Sequence, residues 1–381
     1  MHIVIPIHDF SAGGTEVIAF RLAASWLEAG HRVTVLAGDS AGTMRARLPA
    51  GAEAVLIDPP VPRSPLSRLG LGQAMAPDLV ALEPDLVFLP GAFHFILAHA
   101  FKRALPRVPI VAKLSNPLIP SPLGARIAGM AGRTLLRRYL APIDMIAAMS
   151  HGLEAELRGQ APGQDVCTIF DPNVPDDLQA PAMRDRRKNT GEVALLAIAR
   201  LEPQKHLELA IDALVELRRV RPARLTILGE GALRSRLTRH AERRGVAAFV
   251  SMPGFVDAIA GPLSAADVLL VSSRYEGGPA TAVEALAAGL PVVSTDCSLF
   301  LHDLIASPRL GRLTPHRPEA LAEAVLAQMV ETPASADELS AAIAPCRYGA
   351  SARAYLALFE RLTGQSRSAY RPAGRRAAKA E

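Results

Sequence analysis

The chain has 381 residues, 50% of them hydrophobic, 21% charged and only 4% aromatic. That composition fits a folded protein of two average-sized domains and argues against the stacking platforms of single-strand nucleic-acid binders. The net charge of +5 sits mostly in residues 364–381, where five basic residues (Arg367, Arg371, Arg375, Arg376, Lys379) face one acid, Glu381, so this tail reads as disordered and the body as nearly neutral.

The opening "MHIVIPIHDF" reads as a strand and a loop, without the basic start and long apolar core of a signal peptide. "DFSAGG" is a turn, "TEVIAFRLAASWLEAG" has helical apolar spacing and ends at Gly30, and "HRVTVLAG" is the next strand. This βαβ unit implies a parallel sheet with right-handed crossovers. "PDLVFLPG", "VPIVAKLS" and "DMIAAMS" extend it. The polar, proline-bearing residues 175–192 read as a linker. A second α/β series follows with "EVALLAIA", "ARLTILG", "FVSMPGF", "DVLLVSS" and "LPVVST" as strands. The expected units are a first α/β domain over 1–175, a second over 176–345, a closing helix over 346–363 that could cross back to the first domain, and the tail. Two such domains form a cleft between the carboxyl ends of their sheets, where open α/β sheets bind ligands. Runs such as "VALLAIA" and "FHFILAHAF" are too short to span a bilayer, and Cys167, Cys297 and Cys346 show no CxxC spacing. A cytoplasmic location without disulfides or a zinc site is expected.

Three segments carry candidate chemistry. In "RYEGGPATAVEALAAG", residues 274–289, a loop with Glu276, Gly277 and Gly278 follows a buried strand, and Pro279 and Ala280 open a helix that holds Glu284. Pro279 suits the first helical turn, and the bare backbone N–H groups at such a helix start favour an anion. Glu276 at the lip and Glu284 further in could accept hydrogen bonds from paired hydroxyls, such as a ribose diol. Taken alone, they fit a solvated loop acid and a surface helix acid equally well. In "ARLEPQKHLELAIDAL", Arg200 ends a strand and Lys205 precedes a helix. Two cations on one loop suit a diphosphate, Arg as a fork and Lys as a point charge, although alone they fit solvated loop cations better. Gly13 and Gly14 in "DFSAGGTE", and Gly229 and Glu230 in "LGEG", are turns after strands that allow close approach to phosphate or sugar, and equally fit tight turns. Together, cations for a diphosphate and carboxylates for the hydroxyls on either side of it describe a nucleotide-sugar.

At these residues the chain resembles the retaining GT-B glycosyltransferases of family 4 over most of its length. The likeness is strongest from "AIARLEPQKHLELAIDAL" through "LTILGEG" and "VSMPGF" to "SSRYEGGPATAVEALAAGLPVVSTD", and the glutamates eight apart, Glu276 and Glu284, are that family's signature. The resemblance implies an α/β fold of two Rossmann-like domains, the first (1–175) binding the acceptor and the second (176–345) the nucleotide-sugar, that close over the donor, a UDP- or GDP-sugar, with no other cofactor. It implies that Glu276 holds donor-sugar hydroxyls and Glu284 the ribose, and that Arg200, Lys205 and the Gly277–Gly278 amides bind the diphosphate. Gly13 and Gly14 would approach from the other domain. The implied reaction is front-face displacement with retention, in which the cations stabilise charge growing on the leaving phosphate and that phosphate takes the acceptor proton. No metal is required on this view, in keeping with the lack of a DxD motif. The acceptor would be a glycan or lipid-linked precursor in cell-surface polysaccharide or lipopolysaccharide synthesis. Many relatives carry a histidine in the segment matching "VAKLSNPL"; here Ser115 and Asn116 stand there, and His94 in "PGAFHF" could substitute. The missing histidine is the one hint towards a non-catalytic nucleotide-sugar-binding subunit. A GT-B epimerase is a further alternative, and a dinucleotide oxidoreductase is disfavoured because "PIHDFSAGGTE" lacks GxGxxG.

Between Asp85 and Asp144 there is no acid but eight basic residues, including Lys113, Arg126, Arg133, Arg137 and Arg138. Arg126, Arg133 and Arg137 would share one helix face among leucines, suggesting peripheral contact with an anionic membrane on its inner, cytoplasmic side or with a lipid-linked acceptor. A solvated basic helix fits as well. Nucleic acid is not expected, since no reading module or aromatic interleaving is visible.

Overall fold

The structure, a computed structural model, describes residues 1–64, 66–119, 130–178 and 191–368. Seven strands form the first sheet: β1 (His2–Ile7), β2 (Arg32–Ala37), β3 (Glu53–Leu56), β4 (Leu86–Leu89), β5 (Ile110–Leu114), β6 (Met145–Ala148) and β7 (Val166–Thr168). Their order is β3-β2-β1-β4-β5-β6-β7. Six form the second: β8 (Val193–Ile198), β9 (Ala223–Leu228), β10 (Val250–Gly254), β11 (Val268–Val271), β12 (Val292–Thr295) and β13 (Gly311–Thr314), in the order β10-β9-β8-β11-β12-β13. All pairings are parallel. Parallel strands need crossover helices, which cover both faces, so the central strands read as unbroken apolar runs such as "HIVIPI" and "VLLV" and are fully buried. In each sheet the strand order reverses beside the first strand, between β1 and β4 and between β8 and β11, which opens a crevice at the carboxyl ends.

The sheets belong to two units that touch. The His151–Gln160 helix packs against the Leu299–Leu304 helix, and the His151 backbone N–H donates to Asp303 Oδ2 at 2.8 Å. The two chain crossings between the units lie side by side: Asn173 N–H donates to the Cys346 carbonyl at 2.8 Å and Tyr348 N–H to that of Val174 at 3.0 Å. The last helix, Tyr348–Ser368, lies on the Gly14–Glu28 helix of the first unit. Its Tyr355 and Phe359 meet Trp26 edge-on, and Tyr355 meets Phe88 so too, with ring centroids 5.1 Å apart for Trp26–Phe359 and 5.2 Å for Phe88–Tyr355.

Several expectations need correction. β3, β7 and β13 are strands that the sequence reading leaves out. Pro279 is the N-cap of the helix Ala280–Ala287, one position outside the first turn. The closing helix continues to Ser368, so residues 364–368, expected in the tail, are helical. Residues 369–381 and the central linker residues 179–190 lie outside the described residues, as does Arg126.

Candidate active site

A cavity of about 180 Å³ lies at the carboxyl ends of β8 and β11, walled by residues of the second unit that include Ala199, Lys205, Ser273, Glu276, Gly278 and Ala280. Its cationic wall is a one-turn helix, Pro203–Lys205, tied to the strand end where Ser272 Oγ donates to the Lys205 carbonyl at 3.0 Å. His206 then adopts a left-handed φ of 47°, turning the chain sharply into the helix Leu207–Arg218. Lys205 is thereby aimed across the cavity. Its Nζ lies 2.6 Å from Glu276 Oε1, and Ser273 Oγ donates to the same oxygen at 2.6 Å. Only 18% of the Lys205 side chain and 9% of that of Glu276 are exposed, so Glu276 is no solvated loop acid. Its backbone is fixed as well, since Glu276 N–H donates to the Cys297 carbonyl at 2.7 Å and Gln204 Nε2 to that of Tyr275 at 2.9 Å.

Gly277 and Gly278 follow at the contact with the first unit. A Cβ on Gly277 would stand 2.5 Å from the Ser115 carbonyl oxygen and 3.1 Å from Asn116 Oδ1, and one on Gly278 would collide with Met149. Ser298 Oγ donates to the Gly277 carbonyl. The glycines therefore let the two units close on each other where Ser115 and Asn116 leave the end of β5. The N-terminus of the Ala280–Ala287 helix also borders the cavity, through Pro279 and Ala280.

Other expected residues do not gather there. Arg200 is 68% exposed and its Nη1 bonds Glu202 Oε1 at 2.6 Å. Glu284 does not line the cavity; it is half-buried on the helix, where burial pushes its carboxyl up against the field of Arg21 from the first unit. Glu230 pairs with Arg234, whose Nε donates to Glu230 Oε2 at 2.9 Å. Gly229, at φ 137°, packs against the Ala199 carbonyl, and Leu201 N–H donates to the Glu230 carbonyl at 2.9 Å, so this turn supports the Arg200 loop rather than the cavity. In the first unit, a Cβ on Gly13 would stand 2.5 Å from Glu16 Oε2, while one on Gly14 meets nothing.

His94 is buried in the turn Ala92–Leu97 after β4, and its Nδ1 has no hydrogen-bond partner. Burial, with the fields of Arg63 and His8, pulls its pKa down to about 4, so the ring is neutral near pH 7. It lines a second cavity together with His8, Glu16, Arg63 and Arg68. Two features escaped the sequence reading. Glu16, two residues after the glycine pair, fits the helical spacing and so carries no signal of its own. Lys113, counted among the basic residues, is 2% exposed inside β5 and pairs with Asp171 Oδ2 at 2.9 Å while donating to Ser115 Oγ at 2.5 Å. A lysine inside an apolar strand was the available signal. Of the basic helix, Arg133, Arg137 and Arg138 are exposed on Met130–Leu140, beside Leu135, which is 71% exposed.

Residues 12–170 match the family model Glycosyltransferase Family 4, and residues 179–343 match Glycosyl transferases group 1. A GDP-mannose-dependent alpha-(1-6)-phosphatidylinositol dimannoside mannosyltransferase of Mycobacterium tuberculosis is 37% identical over 138 residues, 35% of this chain and 35% of that one. Glycogen synthase of the same organism is 33% identical over 154 residues, 40% of this chain and 37% of that one. The chain thus spans only 35% to 37% of the length of these relatives. Among solved structures, the lipopolysaccharide outer core galactosyltransferase WaaB matches with a TM-score of 0.73 at 17% identity, covering 95% of this chain and 100% of that one. Anabaena HepE in complex with UDP matches with a TM-score of 0.73 at 19% identity, also covering 95% and 100%. At such identity the likeness speaks for the fold. Together the two family models cover most of the chain, and it belongs to the family 4, group 1 glycosyltransferases, built on the GT-B plan of two facing Rossmann-like domains.

Proposed function

We propose that this protein is a retaining hexosyltransferase that moves a sugar from a UDP- or GDP-sugar to a glycan or lipid-linked acceptor in cell-surface polysaccharide synthesis. The observation that carries this reading is the Lys205–Glu276–Ser273 cluster in a cavity bordered by a helix N-terminus and capped at Gly277 by the first domain. A nucleoside diphosphate laid along the Ala280–Ala287 helix start meets its backbone N–H groups and the Lys205 ammonium. Arg200 joins them by exchanging Glu202 for phosphate. Negative charge grows on the leaving phosphate as the glycosidic bond breaks, and these fixed groups favour that state over the bound donor. Charge neutralisation thus falls to side chains rather than to a metal. Glu276, with one oxygen held by Lys205 and Ser273, keeps acceptor capacity for donor-sugar hydroxyls. Glu284, facing the first domain, takes the ribose. The nucleotides named with the relatives, GDP-mannose and UDP, are of this donor class.

The exposed Arg133, Arg137, Arg138 and Leu135 suit peripheral contact with an anionic membrane at its cytoplasmic face. No helix among the described residues is long and apolar enough to cross a membrane. A thermal-shift screen against UDP-, GDP- and ADP-sugars tests the donor, because a ligand that binds only the folded state raises its apparent stability. Hydrolysis or transfer of the stabilising donor, lost in Glu276→Ala, tests the activity. A chain stabilised by none of the three donors contradicts the reading.

A further inference from the structure

β5 carries a charge where a parallel strand covered on both faces is apolar. Lys113 is the fourth of its five residues and stands between Ala112 and Leu114, both fully buried. Its Nζ reaches Asp171 Oδ2 at 2.9 Å and donates to Ser115 Oγ at 2.5 Å. Asp171 Oδ1 is buried too and has no hydrogen-bond partner among the described residues. Attraction within a buried ion pair offsets the desolvation of both charges only when the remaining lone pairs are also satisfied, and an apolar pair of like volume is often as stable. With one carboxylate oxygen unmet, stability does not account for this pair.

Both bonds of the ammonium end at places that govern the cleft. Asp171 opens the first crossing between the two units. Asn173 Nδ2 donates to the Asp171 carbonyl at 3.2 Å, Arg21 Nη1 to that of Pro172 at 2.9 Å, and the Asn173 N–H to that of Cys346, on the second crossing, at 2.8 Å. Ser115 is the first residue past β5 and is half-buried. Its carbonyl oxygen is the atom that excludes a side chain at Gly277, the neighbour of Glu276. Lys113 thus links the crossing to the first unit's wall of the donor site through one atom. An ammonium can only donate, so Ser115 Oγ is the acceptor and the hydroxyl proton turns away from Lys113. Among the described residues that proton has no acceptor. A cation behind a hydroxyl also strengthens the bond that the hydroxyl itself gives.

We propose that Lys113 is a positioning residue for transfer: it acts through Ser115, holding that hydroxyl as a hydrogen-bond donor to an oxygen at the reacting end of the bound nucleotide-sugar, and Asp171 keeps it in register with the crossing as the units close. The proposal rests on the transferase reading, since it needs a donor in the cleft. A neutral residue at position 113 would leave the Ser115 hydroxyl free to rotate, and its proton would no longer be committed to the ligand.

Four forms of the full chain test this: the parent, Ser115→Ala, the paired variant Lys113→Met with Asp171→Leu, and the triple variant that combines all three changes. Urea midpoints report folding. Hydrolysis of UDP-glucose, UDP-galactose and GDP-mannose without acceptor gives kcat and KM, and calorimetric titration gives Kd for UDP and GDP. With the donor that the parent hydrolyses fastest, Ser115→Ala and the paired variant should each lower kcat about tenfold or more, while Kd for the bare nucleotide stays within about threefold of the parent, the pattern of a contact made at the reacting end. The triple variant should be no more than about twofold slower than Ser115→Ala, because Lys113 has nothing to act on once the hydroxyl is gone. Parental turnover in Ser115→Ala or in the paired variant, or losses that multiply in the triple variant, would overturn the proposal. A paired variant that does not fold would return the ion pair to a purely structural role. A parent that hydrolyses none of the three donors would instead sink the donor reading, and this assignment with it.

Discussion

Lys205 and Glu276 form an ion pair of 2.6 Å from loops 71 residues apart, and the pair sits where the proposed diphosphate must bind. The carboxylate therefore occupies the cation until the donor arrives. Glu276→Gln should leave nucleoside diphosphate binding intact or a few-fold tighter, because Lys205 is released, while transfer falls about 10²–10³-fold, the scale of losing one preorganised group. Lys205→Ala should do the reverse to binding, weakening UDP or GDP by about 1.5–3 kcal/mol. Isothermal titration with each nucleotide, beside initial rates, separates the two outcomes.

Closure of the domains is tested at Gly277. The Ser115 carbonyl is backbone and cannot rotate away from a Cβ 2.5 Å distant, so Gly277→Ala should hold the domains slightly apart. The expected loss is about 1–3 kcal/mol of stability from overpacking, with a lower transfer rate. Gly278→Ala collides chiefly with the flexible end of Met149, with the Phe300 ring a further 3.3 Å contact, and Met149→Ala should restore most of the loss. Denaturant midpoints of the two single variants and the double variant check this, and failure of Met149→Ala to rescue would refute the contact.

Lys113 and Asp171 are buried partners, so removing one leaves the other charge stranded. Lys113→Met should cost about 3–5 kcal/mol, and pairing it with Asp171→Leu should recover much of that. Urea unfolding of the three variants gives the coupling. Additive losses would mean that the two charges do not depend on each other.

His94 gives a pH dependence with a definite sign. Its folded pKa of about 4 lies below the ordinary imidazole value of about 6.5, so between these values the unfolded chain binds the extra proton. Stability should fall as pH drops from about 6.5 towards 4, by on the order of 3 kcal/mol from this group. His94→Gln should flatten that part of the profile, as measured by urea titrations across the range.

For the basic helix, Arg133→Glu with Arg137→Glu should lower co-sedimentation with anionic vesicles at low salt, each lost cation being worth about 1 kcal/mol near such a surface. Unchanged binding would assign those arginines to solvent.

The alternation of apolar runs with helical periods was enough to read both sheets' central strands, because parallel strands covered on both faces cannot hide their composition. β3 and β7 were not legible for the opposite reason. The four residues of β3, "EAVL", lie at the sheet edge and are mostly exposed, and β7 has three residues at the other edge. The loop chemistry of Glu276, Gly277 and Lys205 was visible as residue types at fixed spacing. The pairing of Lys205 with Glu276 was not, since it depends on how two loops fold over adjacent strand ends. Arg200 shows the same limit: Glu202, two residues away, competes for it. Glu16 was overlooked because helical spacing accounts for it, and only the cavity beside it shows that its carboxylate faces inward.

The closing helix sets a rule for engineering. Trp26 and Phe88 of the first domain are covered by Tyr355 and Phe359, which come from the far end of the chain. A chimera that exchanges donor specificity by splicing at the linker must therefore leave residues 348–368 with the parent of the first domain. A graft that swaps everything after the linker would mate that aromatic seat with a foreign helix.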